Sequence, residues 1–421
     1  MPTFADLGLP RPLLTVLEKN GMTAPFAIQV AAIPDALAGR DLLGKAQTGS
    51  GKTLAFGLPM LARLAGKQAQ PKRPRGLVLV PTRELAGQVH DALAPLAMGL
   101  GVRLTVVVGG MSMGRQIMAL RKGVDVVIAT PGRLEDLVSQ GACALGDVSL
   151  TVLDEADHMT DLGFLPAVRR ILDQVRPGGQ RLLFSATLDA NVRTLVDRYL
   201  NDPATHETTP AGVAVATMDH HLFVVEADHK NGVVTEIANR EGRTLLFVRT
   251  KHGADRLTKQ LRAAGVNAGA IHGGKTQAAR TRALTEFKDG TLRTLVATDV
   301  AARGIHVDGV DLVLHVDPPA DHKDYVHRAG RTARAGATGL VVSVVTRDQE
   351  RATSAMTRKA GVRARTTRVA PGGGDLARLT GARPASGPAL ATAPERQAAP
   401  HRPGPRRPAR TSGPRRARTA H

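Results

Sequence analysis

Short, continuously apolar segments recur along the chain and are separated by stretches long enough for a helix. The first series of segments covers 76–80, 104–108, 125–129, 151–153 and 182–184. Strands that are apolar on both faces and alternate with helices are typical of a parallel sheet that is covered on both sides. The pattern therefore predicts an α/β fold in which a mostly parallel sheet carries helices on both faces.

The series of apolar segments stops between residues 201 and 218, a stretch rich in threonine, proline and alanine, and then starts again. The second series covers 244–248, 294–297, 312–316 and 339–343. A chain of 421 residues, 42% of them hydrophobic, is long enough for two cores. We therefore predict two domains of similar build, over 1–205 and 219–370, joined by a linker over 206–218.

The apolar periodicity fades from about residue 371, and we predict a disordered tail over 371–421. Residues 383–421 contain nine arginines and one acid, Glu395. They therefore contribute strongly to the formal net charge of +20. Such a charge indicates a polyanionic partner, with nucleic acid as the first expectation and an anionic membrane surface as the alternative.

Targeting features point to the cytoplasm. We find no apolar run of about 18 residues, so we expect no membrane span. The first residues lack a basic region followed by a long apolar one, and we therefore expect no secretion signal. The single cysteine, Cys143, cannot form an internal disulfide, which agrees with a reducing compartment, and we expect it to be inert.

Two motifs indicate nucleotide chemistry. The first is a phosphate-cradle sequence, Ala46-Gln47-Thr48-Gly49-Ser50-Gly51-Lys52-Thr53, with alanine at a position where the strict pattern has glycine. Its backbone N–H groups would surround phosphate oxygens, with Lys52 at the β- and γ-phosphates and the Thr53 hydroxyl on Mg²⁺. The second is Asp154-Glu155-Ala156-Asp157, which follows the apolar segment 150–153. Asp154 would hold the metal, and Glu155 would orient or deprotonate the attacking water.

Further motifs accompany these two in a characteristic order. They are Pro25 to Gln29, Pro81-Thr82-Arg83-Glu84-Leu85, Gly109-Gly110, Thr130-Pro131-Gly132-Arg133, Ser185-Ala186-Thr187, Phe247 to Thr250, Gln277 with Arg280, Thr298-Asp299, Ala302 to His306 and His327 to Gly336. With them, residues 4–346 resemble the DEAD-box ATP-dependent RNA helicases of helicase superfamily two. The resemblance implies two tandem RecA-like domains, ATP and Mg²⁺ as cofactors, and RNA as the partner. It also implies unwinding or remodelling of short RNA duplexes and RNA–protein complexes, with ribosomal or mRNA-decay assemblies as candidate settings.

The resemblance assigns roles to individual residues. Gln29 reads adenine, Phe4 stacks on the base, and Gly304 and His306 lie at the nucleotide. Ser185, Thr187 and His327 couple hydrolysis to strand separation, and Arg331 and Arg334 face the γ-phosphate as arginine fingers. The implied RNA contacts are Pro81, Thr82, Arg83, Gly109, Gly110, Thr130, Pro131, Gly132, Arg133, Thr250, Gln277, Arg280 and Thr298. Because the arginines and Lys52 lie in different domains, the resemblance implies that ATP and RNA together close the cleft and that hydrolysis reopens it.

The chain departs from the family pattern at two places. The usual Pro-Thr-Pro-Ile-Gln is here Pro25-Phe26-Ala27-Ile28-Gln29, which keeps the glutamine. His306 stands where the family generally has an acid that is associated with the ribose, and Asp308 is an alternative carboxylate two residues on. Two other functions remain open: a DNA helicase of the same superfamily, and an RNA-annealing or scaffold protein that needs no ATP.

Overall fold

Two parallel sheets dominate the computed structural model, which describes residues 2–46, 49–207, 218–302, 307, 309–333, 338–385 and 387–390. The strands of the first sheet are β1 (Leu42–Lys45), β2 (Gly76–Leu79), β3 (Leu104–Val107), β4 (Val126–Ala129), β5 (Leu150–Leu153), β6 (Gln180–Ser185) and β7 (Ala204–Glu207). Those of the second are β8 (Asp219–Val225), β9 (Arg243–Phe247), β10 (Ala268–Ile271), β11 (Thr294–Ala297), β12 (Val310–His315), β13 (Leu340–Thr346) and β14 (Arg365–Arg368).

Helices connect the strands and cover both sheets. A short 3₁₀ helix (Ala5–Leu7) comes first. The α-helices of the first half are α1 (Arg11–Lys19), α2 (Ala27–Leu37), α3 (Lys52–Leu64), α4 (Arg83–Gly99), α5 (Met113–Arg121), α6 (Pro131–Ser139), α7 (Ala156–Asp161), α8 (Leu165–Leu172) and α9 (Ala190–Tyr199). Those of the second half are α10 (Lys230–Ala238), α11 (Lys251–Ala263), α12 (Gln277–Lys288), α13 (Asp299–Ala302), α14 (His322–Ala329), α15 (Arg347–Lys359) and α16 (Gly374–Thr380).

The two sheets share one topology. Their strand orders are β3-β4-β2-β5-β6-β1-β7 and β10-β11-β9-β12-β13-β8-β14. Every described pairing of named strands is parallel. Alternate strand residues enter separate cores: Val78 packs on one face of the first sheet, and Leu77 on the other. The predicted α/β fold with two parallel, helix-covered sheets is therefore confirmed.

The apolar segments recognised in the sequence did not include β1, which is short and contains Gly44. Gly44 lies directly opposite Phe184 of β6, and a Cβ at this position would collide with the Phe184 ring. The glycine that weakens the strand signal is thus what lets β1 pair beside a large buried side chain. The edge strand β14 was missed because its sequence, Arg-Thr-Thr-Arg, carries no apolar residue.

Two predicted boundaries differ from the structure. Strand β7 (Ala204–Glu207) pairs with β1, so the first sheet extends past 205 into the predicted linker. Helix α16 (Gly374–Thr380) lies in the predicted tail, and its Leu376 is fully buried in the second domain. Leu379 also packs against this core, and Arg240 donates to the Thr380 carbonyl, but two leucines give too short an apolar pattern to predict a helix from sequence. Residues 391–421 lie outside the described residues, and their disorder remains a prediction.

One histidine lies in the core of the second domain. His315, at the end of β12, is fully buried, and its Nδ1 lies 3.0 Å from Ser343 Oγ. Burial, and then the neighbouring Arg328 and His220, hold the pKa of His315 well below its ordinary value. The unfolded chain therefore binds a proton more readily than the folded one as the pH falls below about 6.5.

We expect the free energy of unfolding to fall as the pH drops below about 6.5, by up to about 1.4 kcal/mol for each pH unit from this one group. His315→Leu should flatten the dependence of the urea midpoint on pH between 7.5 and 5.5. The matched control is His229→Leu, because His229 is exposed. Equal slopes for wild type and His315→Leu would contradict the assignment.

Candidate active site

The ends of three adjacent strands form the floor of a polar site. Strand β6 lies between β1 and β5, and all three are parallel, so their carboxyl ends meet at one edge of the sheet. Lys52 begins α3 beyond β1, and Asp154 follows β5. Ser185 ends β6. Open parallel sheets bind ligands at this edge, so the topology itself brings the predicted residues together.

Lys52 and the two carboxylates form a buried ionic cluster. Lys52 Nζ lies 2.9 Å from Glu155 Oε1 and 3.8 Å from Asp154 Oδ1. The exposed fractions of Lys52, Asp154 and Glu155 are 5%, 2% and 2%. Charged groups are rarely buried this deeply, and they persist because they are paired. The cluster holds a cation and two acids where a polyphosphate could be bound.

The three groups differ in their electrostatics. Burial raises the pKa of Asp154 to about 6. Burial also disfavours the charge of Glu155, but Lys52 and then His158 outweigh it and hold the pKa of Glu155 well below its ordinary value. Burial alone would lower the pKa of Lys52, whereas Glu155 and Asp154 together raise it. Glu155, the nearer partner of the lysine, is therefore the stronger acid of the two.

The backbone at Glu155 is strained. This residue has φ 55° and ψ 51°, a left-handed conformation that costs a side chain with a Cβ. Its N–H donates to Asp154 Oδ1 at 3.0 Å. His158, one turn along in α7, places Nδ1 3.2 Å from Glu155 Oε2 and is 1% exposed. The conformation thus aims the Glu155 carboxylate between Lys52 and a histidine that we did not predict.

The predicted coupling residues contact the acidic motif through Asp157. Thr187 donates to Asp157 Oδ2 from both its N–H, at 2.9 Å, and its Oγ1, at 3.0 Å. The Asp157 N–H donates to Ser185 Oγ at 3.2 Å, and that hydroxyl donates to the Thr187 carbonyl. A change at the acidic motif would therefore move the segment after β6 directly.

Residues of the second half meet this cluster from α14. The His327 ring packs edge-on against His158, with ring centroids 4.4 Å apart and planes at 83°. Arg331 follows α14, is 4% exposed, and donates from Nε to the His327 carbonyl at 3.2 Å. The structure thus brings His327 close to Glu155 through His158, and holds Arg331 beside His327.

Arg328, in the same motif, has a structural role that the sequence did not reveal. Its Nε and Nη2 donate to the two oxygens of Asp299 at 2.6 and 2.8 Å, and its Nη1 donates to the Asp317 carbonyl at 2.7 Å. Its guanidinium also stacks over the Phe247 ring, 5.1 Å from the centroid. Arg328 therefore fixes the helix that carries His327 and leads to Arg331.

Gln29, the glutamine predicted to read adenine, is 1% exposed and connects α2 to the phosphate cradle. Gln29 Oε1 accepts from the Phe26 N–H, and Gln29 Nε2 donates to the Gly51 carbonyl, both at 2.9 Å. Phe4, predicted to stack on the base, is 4% exposed and packs against the core of the first domain, and its stacking role remains a prediction. Phe26 is 56% exposed. The open aromatic ring near Gln29 is thus Phe26.

The predicted RNA contacts of the first domain gather beyond β2, β3 and β4. The Arg83 guanidinium lies directly over Gly109 and Gly110. Arg133 donates from Nη1 to the Met111 carbonyl at 3.2 Å, next to this glycine pair. Pro81, Thr130, Pro131 and Gly132 line the same edge, at the strand ends and the start of α6. Thr82 caps α4 by accepting from the Leu85 N–H, so its hydroxyl has a structural task as well.

Two predicted RNA contacts of the second domain, Gln277 and Arg280, bind the first domain in this structure, and their contact with RNA remains a prediction. Gln277 donates from Nε2 to Glu84 Oε1 at 2.8 Å, and Arg280 Nη2 lies 2.8 Å from Glu84 Oε2. Lys323 makes a further bridge to Asp189 at 3.0 Å. Thr250 caps α11, and Thr298 precedes α13. The sequence did not reveal this role of Glu84, because a contact between domains leaves no local sequence signal.

Comparisons with known proteins agree with this geometry. The DEAD/DEAH box helicase family model matches residues 26–195, and the helicase conserved C-terminal domain model matches residues 229–336. The chain belongs to the DEAD-box RNA helicase family. The ATP-dependent RNA helicase DBP2 of Meyerozyma guilliermondii is 43% identical over 82% of this chain and 64% of that protein. DEAD-box ATP-dependent RNA helicase 30 of Arabidopsis thaliana is 43% identical over 83% of this chain and 60% of that protein.

Among solved structures of DEAD-box proteins, S. cerevisiae Dbp5 bound to RNA and ADP BeF3 resembles this chain over both domains. The TM-score is 0.80 at 29% identity, and the match covers 90% of this chain and 98% of that one. The tandem RecA-like architecture is thereby confirmed. The chain spans less than two thirds of the length of the two curated relatives described above.

Several DEAD-box positions that we predicted lie outside the described residues. They are Gln47, Thr48, Gly304, His306 and Arg334, together with Asp308, the alternative to His306. Their roles remain predictions. The described remainder of the phosphate cradle, Ala46 and Gly49 to Thr53, lies between β1 and the first turn of α3, as expected.

Proposed function

We propose that this chain is an ATP-dependent RNA helicase, which couples ATP hydrolysis to closure and opening of its two domains around RNA. The observation that carries the proposal is the buried pairing of Lys52 Nζ with Glu155 Oε1 at 2.9 Å, where three parallel strands end. The family membership and the RNA-bound Dbp5 structure support RNA as the partner.

The residues of the site fit a nucleoside triphosphate. Gly51, at the start of α3, has φ 88°, and a Cβ there would lie 2.5 Å from Gln29 Nε2 and 2.8 Å from Phe26 Cδ2. Glycine is therefore required, as expected for backbone that wraps closely around phosphate. Lys52 at the first turn of α3 adds a positive charge at the helix end that already favours anions.

The site also fits Mg²⁺, with Thr53 and Asp154 as the residues that would hold it. No group of three or more potential metal-ligating His, Cys, Asp or Glu residues occurs in the described part of the chain. Mg²⁺ in nucleotide sites usually takes one or two protein oxygens and completes its shell with phosphates and water. When bound, it would neutralise charge on the phosphates during transfer.

Three side chains would have different roles in ATP hydrolysis. Lys52, which pairs with Glu155 in this structure, would turn towards the phosphates and leave the carboxylate to accept a hydrogen bond from water. The pKa of Glu155 is lowered mainly by Lys52, so release of that partner would make the carboxylate a stronger base towards the attacking water. Arg331, held by His327, would stabilise charge on the γ-phosphate from the other domain. Closure would therefore be needed for hydrolysis.

The proposal is tested by measuring ATP turnover with single-stranded RNA and, as the control, with single-stranded DNA of the same sequence. Stimulation by RNA alone supports an RNA helicase, and displacement of one strand from a short duplex would extend this to unwinding. Equal stimulation by DNA would favour the DNA helicase alternative. RNA annealing without any ATP turnover would overturn the proposal in favour of a scaffold protein.

The basic tail is expected to add non-specific RNA affinity. Residues 391–421 contain eight arginines and one glutamate, which is a net charge of +7. Arg383, which we had counted with the tail, instead pairs with Glu241 at 2.6 Å, so truncation should start after Leu390. We propose that the tail binds RNA phosphates without reading sequence.

Removing residues 391–421 should weaken binding to all RNA sequences alike and reduce its salt dependence. Each phosphate that the tail neutralises on a single strand contributes about 0.7 to the slope of log affinity against log salt. ATP turnover at saturating RNA should stay near wild type. The control is a full-length chain with the eight tail arginines replaced by glutamine. Identical salt slopes for all three proteins would show that the tail only maintains solubility.

In the described part of the chain, no helix has the length and apolar character needed to cross a membrane. Cys143 is buried, and burial raises the pKa of its thiol to about 12, which supports our expectation that it is inert. A reducing, cytoplasmic setting remains our proposal for this protein, supported by its single cysteine.

A further inference from the structure

Phe26 is the one exposed aromatic side chain in this protein. The chain contains eight phenylalanines, two tyrosines and no tryptophan. All ten of these side chains lie within the described residues, and Phe26 is 56% exposed while the other nine are buried or half-buried. Phe26 is therefore the single Phe or Tyr ring that is open to water among the described residues.

The open ring lies at the rim of the phosphate cradle. Phe26 directly precedes α2, and its N–H donates to Gln29 Oε1 at 2.9 Å. Its Cδ2 atom is so close to Gly51 that a Cβ on that glycine would lie 2.8 Å from it. The same added Cβ would lie 2.5 Å from Gln29 Nε2. The ring and the glutamine amide thus border the same glycine, at the start of the phosphate-binding helix α3.

Phenylalanine is unfavourable at this position for two reasons. It precedes the first residue of α2, where a hydroxyl or carboxylate side chain would cap the exposed N–H groups of the first turn, as the usual threonine of the family could. It also leaves apolar surface in water. A ligand that covers the ring would remove this apolar surface from water. Binding of such a ligand would also explain why the missing capping side chain is tolerated.

We propose that Phe26 is an aromatic wall of the nucleotide site and packs against the face of the purine whose edge Gln29 reads. This inference rests on the proposed function, because it assumes that a nucleotide occupies the cradle. Phe4, which is buried in this structure, keeps its predicted stacking role, and Phe26 is proposed as a further contact with the base.

The two side chains would supply different properties. Stacking on an aromatic ring is tolerant of base identity, because every base has a π-face, and it is worth a roughly 5- to 100-fold change in affinity. A glutamine amide both donates and accepts, so it can match the edge of adenine. Phe26 would therefore set how tightly a nucleotide binds, while Gln29 would set which base is chosen.

A tryptophan at this position gives a direct test in the full chain. Phe26→Trp introduces the sole tryptophan of the protein, and we expect ADP to quench its fluorescence while the affinity for ADP is kept or increased. The matched control is Met98→Trp, on the last turn of α4, where the native side chain is 81% exposed. ADP should leave the fluorescence of that variant unchanged. Inorganic tripolyphosphate, which has no base, should quench neither.

A second pair of variants separates ligand contact from a structural role. Phe26→Thr restores a capping side chain and removes the ring, so we expect greater thermal stability together with roughly 5- to 100-fold weaker ADP binding. Phe26→Leu keeps apolar bulk without the π-face and should also weaken ADP binding. Competition by tripolyphosphate should be unaffected in both. A purely structural role would instead change stability and affinity in the same direction.

The outcomes distinguish this inference from the proposed function. If the wild-type chain binds neither ADP nor ATP, the proposed function fails, and the inference fails with it. If the wild type binds ADP and the Thr and Leu variants bind it equally well, the aromatic wall is refuted while the proposed function stands. If ADP quenched the fluorescence of Met98→Trp as strongly as that of Phe26→Trp, the contact between Phe26 and the purine would also be refuted. Equal quenching would show a general conformational response.

Discussion

Glu155→Gln should lower RNA-stimulated ATP turnover by about three orders of magnitude while ATP and RNA still bind. A positioned general base contributes roughly 10²- to 10⁴-fold to a rate, and glutamine keeps the size of glutamate without its ability to take a proton. The Lys52 ammonium would lose its partner at 2.9 Å and keep Asp154 at 3.8 Å. Steady-state turnover together with the Kd for an ATP analogue measures both parts of the expectation.

Glu241→Gln is a suitable control, because Glu241 is an exposed acid that pairs with Arg383 on the surface. Its turnover should match that of the wild type. Turnover of Glu155→Gln within a few-fold of wild type would remove Glu155 from the chemistry. Loss of ATP binding in the same variant would show instead that the carboxylate mainly holds Lys52 in place.

Arg331→Lys should lower RNA-stimulated turnover by roughly 10²- to 10³-fold, although the charge is conserved. An arginine finger is worth about 10³- to 10⁵-fold, and lysine lacks the planar fork that engages two phosphate oxygens at once. The Nε of Arg331 donates to the His327 carbonyl, an orientation that lysine cannot reproduce. ATP affinity without RNA should change little, because the first domain supplies the cradle.

The matched control for Arg331→Lys is Arg378→Lys, since Arg378 is exposed on α16. That variant should be indistinguishable from wild type in turnover and in RNA binding. Equal turnover in Arg331→Lys and wild type would mean that Arg331 faces no reacting phosphate. The finger assignment would then pass to Arg334, which can be tested by the same substitution.

The sequence predicted the main features of the site because they are encoded locally. Continuous apolar strands gave the parallel sheets, and residues that follow such strands necessarily meet at one edge. Lys52 and Glu155 could therefore be placed together without a structure. The hydrogen bond and ion pair of Glu84 with Gln277 and Arg280 could not, since they depend on how one domain lies against the other. His158 was overlooked because it follows the quoted acidic motif.

Phe26 shows a different limit of the sequence argument. The sequence shows Phe26 only as a departure from a family pattern. Which phenylalanine ring is exposed near Gln29 depends on which side of the 3₁₀ helix and α2 meets the core, and only the structure reveals this. Short polar or glycine-containing strands such as β1 and β14 were missed for a related reason, because their pairing is set by neighbouring strands rather than by their own composition.

The shared strand order has a consequence for how the protein is made. In the first sheet β1 lies between β6 and β7, so Leu42–Lys45 emerges from the ribosome long before either of its neighbours, Gln180–Ser185 and Ala204–Glu207. Until then its backbone groups and Leu42 and Leu43 stay unpaired. The same delay recurs for β8, which waits for β13 and β14. We therefore expect two periods during synthesis in which a sheet is incomplete, and aggregation of the growing chain should be strongest in those periods.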